Sequence, residues 1–217
     1  MKILIGQPNR EKGMNQLEMD VQSHKSVDLI LYPESYLNED QIVRTCELAK
    51  KNHVSIVTGY KDHQNLDRVL IINKSGEVIL DRSKSLEGEQ LNHPSKAEEG
   101  GITYGYLLCM EVFQGLEGLR DETSLDIIFN PIGVGMFSEE QYSDWSGEAS
   151  KIAMQQEAVV IGASHADGSY RNCGFSIPIA YCFDKNGEAL LLSKNDLRTR
   201  IIDTNTNTIE TLESLST

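Results

Sequence analysis

Short apolar runs ended by turn residues alternate along the chain with stretches whose apolar positions lie three and four apart. This is the pattern of strands alternating with amphipathic helices. Lys2 to Gln7 reads as a strand, and Glu11 to Ser26 as a helix with Met14, Leu17 and Val21 on one face. Val27 to Tyr32 is nearly continuous apolar sequence and predicts a buried strand, stopped by Pro33, which has no N–H to give to a ladder. Glu34 therefore falls just beyond the strand end. A helix from about Asp40 to Asn52, with Ile42, Cys46 and Ala49 as its inner stripe, precedes a strand from Val54 to Gly59. Val69 to Asn73 and Glu77 to Asp81 flank Lys74-Ser75-Gly76, where glycine supplies the positive φ of a tight hairpin turn.

Further on, Gly101 to Cys109 predicts a strand and Glu111 to Arg120 a short helix, so Cys109 stands at a strand-to-helix junction. Leu125 to Asn130 reads as a strand ended by Pro131, and a helix from about Ser138 to Glu157 leads into the strand Ala158 to Ser164. A second hairpin joins Pro178 to Phe183 with Glu188 to Leu192 around Asp184-Lys185-Asn186-Gly187. No segment has linker composition. The 217 residues are read as a single α/β domain with a short polar tail from about residue 204.

Composition removes several classes of function. With 39% hydrophobic and 24% charged residues the chain can bury a core, which excludes a disordered or fibrous protein. The net charge of −13, without a dense Lys/Arg run, repels phosphate backbones and anionic lipid, so neither nucleic acid nor a membrane is an expected partner. No apolar stretch approaches the roughly 20 residues of a membrane span. Met1-Lys2 runs straight into Ile3-Leu4-Ile5 without the apolar core of a signal peptide, and a cytoplasmic protein is expected. Cys46, Cys109, Cys173 and Cys182 form no CxxC pair, which fits reduced thiols, and the five histidines stand at no ligand spacing, so no metal is expected.

Two side chains, Cys109 and Glu34, stand where chemistry would need them. A thiol at the turn from strand into helix has the first amides of that helix beside it, which favour a thiolate and any oxyanion formed there. Glu34, past a buried strand, is a carboxylate open to desolvation and so to the raised pKa of a general base. Lys84 ends Asp81-Arg82-Ser83-Lys84 and taken alone reads as a surface charge. His165, after the strand Ala158 to Ser164, offers another base for Cys109 in a Cys-His thiol hydrolase. Gly133-Val134-Gly135 lacks the third glycine of a dinucleotide loop and reads as a plain loop.

Taken in order, these segments resemble the nitrilase, or carbon-nitrogen hydrolase, superfamily. Asp28-Leu29-Ile30-Leu31-Tyr32-Pro33-Glu34 is similar to its strand-Pro-Glu signature, Lys84-Ser85-Leu86 to its lysine segment, and Tyr106-Leu107-Leu108-Cys109-Met110-Glu111 to its cysteine elbow. Asn130-Pro131, Trp145, the stretch Lys151 to Gly162 and Gly174-Phe175-Ser176-Ile177 fall where that family has an Asn-Pro, a Trp-led helix, a strand and a Gly-x-Ser. The resemblance runs from about residue 1 to residue 203. Departures are the Lys151 to Glu157 stretch, which lacks the family's Arg-Ala and Glu-Asn pairs, and Val112-Phe113-Gln114-Gly115, which lacks its Phe-Pro-Glu.

The resemblance implies an α-β-β-α sandwich, two sheets between helical layers. It implies cofactor-free hydrolysis of a small carboxamide, ω-amide or N-carbamoyl compound through a thioester, with Glu34 as base, Lys84 and the Met110 N–H on the oxyanion, and Cys109 as nucleophile. A supporting glutamate between lysine and cysteine orients the lysine in many members; Glu89 is placed first among Glu87, Glu89, Glu98 and Glu99, with Glu111 also supporting the elbow. Asn130, Pro131, Tyr142 and Trp145 are expected at the substrate pocket. A homodimer or larger assembly is expected, and a catalytically silent relative that binds a ligand or partner is the alternative from another class.

Overall fold

A computed structural model of the chain describes residues 1–122, 124–169 and 173–212. Its first half comprises β1 (Lys2–Ile5), α1 (Asn15–Ser23), β2 (Leu29–Leu31), β3 (Leu37–Asn38), α2 (Ile42–Asn52), β4 (Ser55–Lys61), β5 (Asp67–Ile72), β6 (Val78–Ser83) and β7 (Lys96–Glu99). There follow β8 (Ile102–Tyr106), α3 (Gly115–Gly118), β9 (Ile127–Ile132), α4 (Glu139–Gln156), β10 (Val159–Ser164), β11 (Ile179–Phe183), β12 (Ala189–Lys194), β13 (Arg200–Asp203) and β14 (Thr208–Thr211). One sheet has the order β14-β13-β1-β2-β4-β5-β6, with β3 also on β4, and the other has the order β12-β11-β10-β9-β8-β7. Strands β1, β2 and β4 run parallel, as do β8, β9 and β10.

Because successive side chains of a strand point to opposite faces, each apolar run feeds two layers of core. Ile3, Ile5, Leu29, Leu31, Val57 and Ile71 turn one way, onto Tyr104, Tyr106, Phe129, Ile161 and Ala180 of the other sheet. Their neighbours Leu4, Ile30, Ile56, Leu70 and Ile72 turn the other way, onto Met14, Leu17 and Val21 beside α1 and Ala49 of α2. Ile128, Val160, Ile179 and Tyr181 likewise face Trp145, Ala149, Ile152 and Ala153 of α4. The result is the α-β-β-α sandwich. A helix holds each outer face because its apolar residues recur at three and four; in α4 the buried set is Tyr142, Trp145, Ala149, Ile152 and Ala153, and the Ser138 hydroxyl caps the helix by accepting the Gln141 N–H.

Three expectations are corrected. Pro131 does not end a strand: it lies inside β9 opposite Ala163. It is tolerated there because the pairing of β8 with β9 has already stopped at Tyr106 and Phe129, so no ladder asks for the missing N–H. The helix expected from Glu111 to Arg120 divides into a 3-10 turn, Cys109–Gln114, and the short α3. The polar tail contains β14, whose alternating Thr208-Ile209-Glu210-Thr211 pairs antiparallel with β13; residues 213–217 of that tail lie outside the described residues. No helix among the described residues is long and apolar enough to cross a membrane.

Candidate active site

The sheets deliver the site. Strand β6 is antiparallel to β5, which is antiparallel to β4, so β6 runs in the direction of β2 and their carboxyl ends share one edge of the sheet. Glu34 follows β2 and Lys84 follows β6 at that edge; Cys109 and Gly133 follow β8 and β9, the parallel strands of the facing sheet. All four line one cavity of about 730 Å³.

Fifty positions apart in sequence, Lys84 Nζ and Glu34 Oε1 are 2.5 Å apart. The carboxylate also hydrogen-bonds the Cys109 thiol, which has the Gly133 backbone N–H on it as well. Burial raises the Glu34 pKa above the usual carboxylate range, opposed by the Lys84 charge. Burial, and then the Glu34 charge, push the Cys109 thiol up to about 12. For Lys84, burial disfavours the ammonium, but the Cys109 and Glu34 charges together outweigh it and raise the pKa. At neutral pH Cys109 is therefore a thiol with a carboxylate acceptor beside it, not a standing thiolate. Its proton has one place to go, and a cation stands next to the sulfur.

Cys109 has φ +54°, the left-handed region that non-glycine residues avoid at a cost of about 1–3 kcal/mol. The strain is held in place from behind. Asn130 Nδ2 donates to the carbonyls of Leu107, at 2.6 Å, and Cys109, at 3.0 Å, while its Oδ1 accepts the Tyr181 hydroxyl. Glu111 Oε2 accepts the Leu108 N–H at 2.6 Å, and Oε1 accepts the backbone N–H and the hydroxyl of Ser85 at 2.6 and 2.7 Å, tying the cysteine segment to the residue after Lys84. Arg82 closes this network with two parallel bonds of 2.8 Å to the same carboxylate. Sequence reasoning missed Arg82. The available signal is alternation: Leu80 and Arg82 share the inward face of β6, and a cation at an inward position requires a buried partner.

The other expected residues separate into those at the cavity and those elsewhere. Met110 and Trp145 line it. Asn130 is enclosed behind the elbow, Pro131 is buried in β9, and Tyr142 faces the core from α4, so none of these three lines the cavity. Glu89 is exposed and borders a different cavity with Leu91 and Phe113, while Glu87 and Glu98 are exposed and Glu99 bonds Ser55 and the Lys74 N–H. None of these four orients Lys84. The acidic group near it, apart from Glu34, is Asp67, whose carbonyl accepts the Lys84 N–H at 2.9 Å and whose carboxylate takes Lys61 Nζ at 2.8 Å and the Ser35 hydroxyl. His165 is not the base of a Cys-His pair. Its Nε2–H donates to the Glu34 carbonyl at 3.0 Å, and burial, aided by the Arg10 charge, lowers its pKa to about 4, so it is a neutral prop under Glu34. No group of three His, Cys, Asp or Glu among the described residues is placed to hold a metal ion.

Gly133 shows how little room remains. A Cβ there would lie 2.3 Å from Glu34 Oε2 and 3.3 Å from its Cδ. Gly133→Ala is expected to push the carboxylate off Lys84 and Cys109 and to lower kcat/KM by about 10²-fold, the scale of a 1 Å misplacement. Steady-state kinetics alongside circular dichroism checks this; a folded variant with wild-type kcat/KM rejects the geometry.

No protein-family model matches the chain, and no curated protein does. Solved structures do. The NitN amidase from Nesterenkonia sp. AN1 superposes with a TM-score of 0.73 at 14% identity, covering 94% of this chain and 92% of that one. A variant of that amidase, described as from the nitrilase superfamily, gives 0.73 at 13% identity over 94% and 90% of the two chains. A structure in complex with butyramide gives 0.72 at 13% identity over 95% and 92%. Another of its variants shows covalent addition of the acetamide moiety of fluoroacetamide at the active site cysteine. This chain thus has the fold of a nitrilase-superfamily amidase.

Proposed function

We propose that the chain hydrolyses a carbon-nitrogen bond of a small carboxamide through a thioester on Cys109, as a cofactor-free amidase. The observation that carries this reading is the contact of Glu34 with both Lys84 and Cys109 in one cavity. The sulfur attacks the amide carbon as Glu34 takes the thiol proton, and the C=O electrons move onto oxygen, beside the Lys84 ammonium and the Met110 N–H. Collapse breaks the C–N bond, and protonated Glu34 returns the proton to the departing amine, leaving a thioester. Water, deprotonated by the same carboxylate, then cleaves the C–S bond and gives the acid and the free thiol. The balance needs the amide and one water. The resemblance to the Nesterenkonia amidase supports the same chemistry, since that protein is described with butyramide bound and with an adduct on its cysteine.

The test is ammonia release from acetamide, propionamide and butyramide, with peptide mass mapping after fluoroacetamide. Expected are turnover of at least one amide and a label on Cys109 ahead of the exposed Cys173, both lost in Cys109→Ala. Turnover that persists in Cys109→Ala, or no turnover with Cys109 labelled no faster than Cys173, overturns the reading. The reading extends to a cytoplasmic homodimer or larger assembly. Light scattering on the eluting protein checks the assembly; a monomeric mass removes that part.

A further inference from the structure

The Glu34 side chain is aimed by the turn that carries it. The residue after it, Ser35, has φ +56°, a left-handed conformation that residues with a Cβ avoid. A turn bent this way has to be held from outside, and three elements hold it. From β4, the Thr58 hydroxyl and the Gly59 N–H both donate to the Pro33 carbonyl, at 2.8 and 3.3 Å. Gly59 lets that strand approach: a Cβ there would lie 3.1 Å from Glu34 Cα and from the Ser35 nitrogen. From the facing sheet, His165 donates to the Glu34 carbonyl at 3.0 Å. From β5, the Asp67 carboxylate accepts the Ser35 hydroxyl.

Of these holding residues, Asp67 also reaches the partner of Glu34. Its side chain takes the residue after Glu34, while its carbonyl accepts the Lys84 N–H at 2.9 Å. Asp67 opens β5 at the edge of the sheet where β4 ends, and the pairing of Lys61 with Asp67 sets it beside the turn. The Lys61 ammonium, 2.8 Å away, fixes the carboxylate in its turn. Committed to Ser35 and Lys61, that carboxylate acts on Glu34 through the chain and through its charge.

We propose that Asp67 is a positioning residue for the base: through the Ser35 hydroxyl and the Lys84 backbone it keeps Glu34 and Lys84 aligned on the Cys109 thiol. This rests on the amidase reading above and deepens it. The groups facing Glu34 are Lys84 and Cys109 on its carboxylate and neutral His165 on its carbonyl, and Arg10, Lys61, Asp67 and Asp167 are the other charges on the cavity wall. Asp67 adds to the burial that raises the Glu34 pKa. Neutralising it removes that negative charge and releases the Lys61 cation, and both changes lower the Glu34 pKa.

The test compares Asp67→Ala, Ser35→Ala, the double variant and Asp67→Asn in amide turnover and in the pH dependence of Cys109 alkylation by iodoacetamide, with circular dichroism on each. Expected for Asp67→Ala is a kcat lower by at least about tenfold with KM moved by less than about threefold, because a misplaced base slows chemistry more than binding. Ser35→Ala gives most of the same loss, and the double variant is less than about threefold slower than Asp67→Ala, as for two residues acting through one bond. Asp67→Asn keeps an oxygen for the Ser35 hydroxyl and recovers most of the lost kcat, while its acid limb, in turnover and in alkylation, lies at lower pH than in wild type. A wild-type kcat in Asp67→Ala, single losses that multiply in the double variant, or an acid limb unmoved in Asp67→Asn overturns the proposal. If Asp67→Ala fails to fold, Ser35→Ala and Asp67→Asn decide by the same criteria. A displaced alkylation limb in Asp67→Asn without turnover of any amide keeps the positioning role and removes the amidase reading.

Discussion

Glu34→Gln is expected to abolish amide hydrolysis within the sensitivity of an ammonia assay. In the proposed mechanism the carboxylate serves as base, acid and base again, and each positioned proton transfer is worth about 10²–10⁴-fold in rate. Gln keeps the shape and can still accept from Lys84, but it takes no proton from a thiol that burial keeps above its ordinary value. Lys84→Met removes the cation beside the sulfur and the oxyanion and is expected to cost about 10²–10³-fold. The pH dependence follows from the directions of the shifts. Glu34 must be ionised to act, and its pKa is raised, so kcat/KM rises through an acid limb above the ordinary carboxylate range. It then stays level into alkaline solution, because Cys109 titrates near 12 and the Lys84 ammonium is held above its usual value. Wild-type activity that climbs tenfold per pH unit through neutrality would mean attack by a pre-formed thiolate and would remove Glu34 from its role. Alkylation of Cys109 in Glu34→Gln should show that climb, with a thiol pKa lower than in wild type because a neighbouring negative charge is gone.

The meeting of Glu34, Lys84 and Cys109 was legible because each is fixed by a local event at a strand end. Pro33 stops β2 and leaves Glu34 outside it, the hairpin through Gly76 returns β6 to place Lys84, and the apolar run into Cys109 ends in a turn. Parallel strand directions then carry these three ends to one edge, which alternating strands and helices already imply. The residues that support these three were not legible, because nothing local marks them. Arg82 of β6 meets Glu111 in the 3-10 turn that follows β8 of the other sheet, and Asn130 reaches under the elbow from β9. Reading outward from Lys84 along the chain favoured Glu89, yet the carboxylate that braces the segment after Lys84 is Glu111, on the far side of the cysteine. Tyr142 shows the same limit: a helical position near the pocket in sequence faces the core once α4 is rotated by its own apolar stripe. The strand β14 escaped notice because its threonines and glutamate lie at a sheet edge, where polar residues are ordinary.

Glu111→Ala is expected to destabilise the fold by about 3–5 kcal/mol, the cost of leaving one member of a buried pair without its partner. The side chains of Arg82 and Glu111 are 4% and 1% exposed, so water cannot replace what is lost. Every lone-pair direction of the carboxylate is in use, with Arg82 taking both oxygens, Ser85 one and the Leu108 N–H the other. Removal therefore strands a guanidinium, two N–H groups and a hydroxyl at once. Urea unfolding measures the loss, and a cost below about 1 kcal/mol would show that the pair is not desolvated as described. The double variant Arg82→Met/Glu111→Leu leaves no unpaired charge and is expected to recover at least about 1 kcal/mol of the deficit, because apolar groups of similar volume replace buried ion pairs at little cost or with gain. Recovery of stability should not bring recovery of rate. Leu108 would still lack the acceptor that holds the strained φ of Cys109, so kcat stays low in a protein that is folded again, and the two functions of one carboxylate separate in a single experiment.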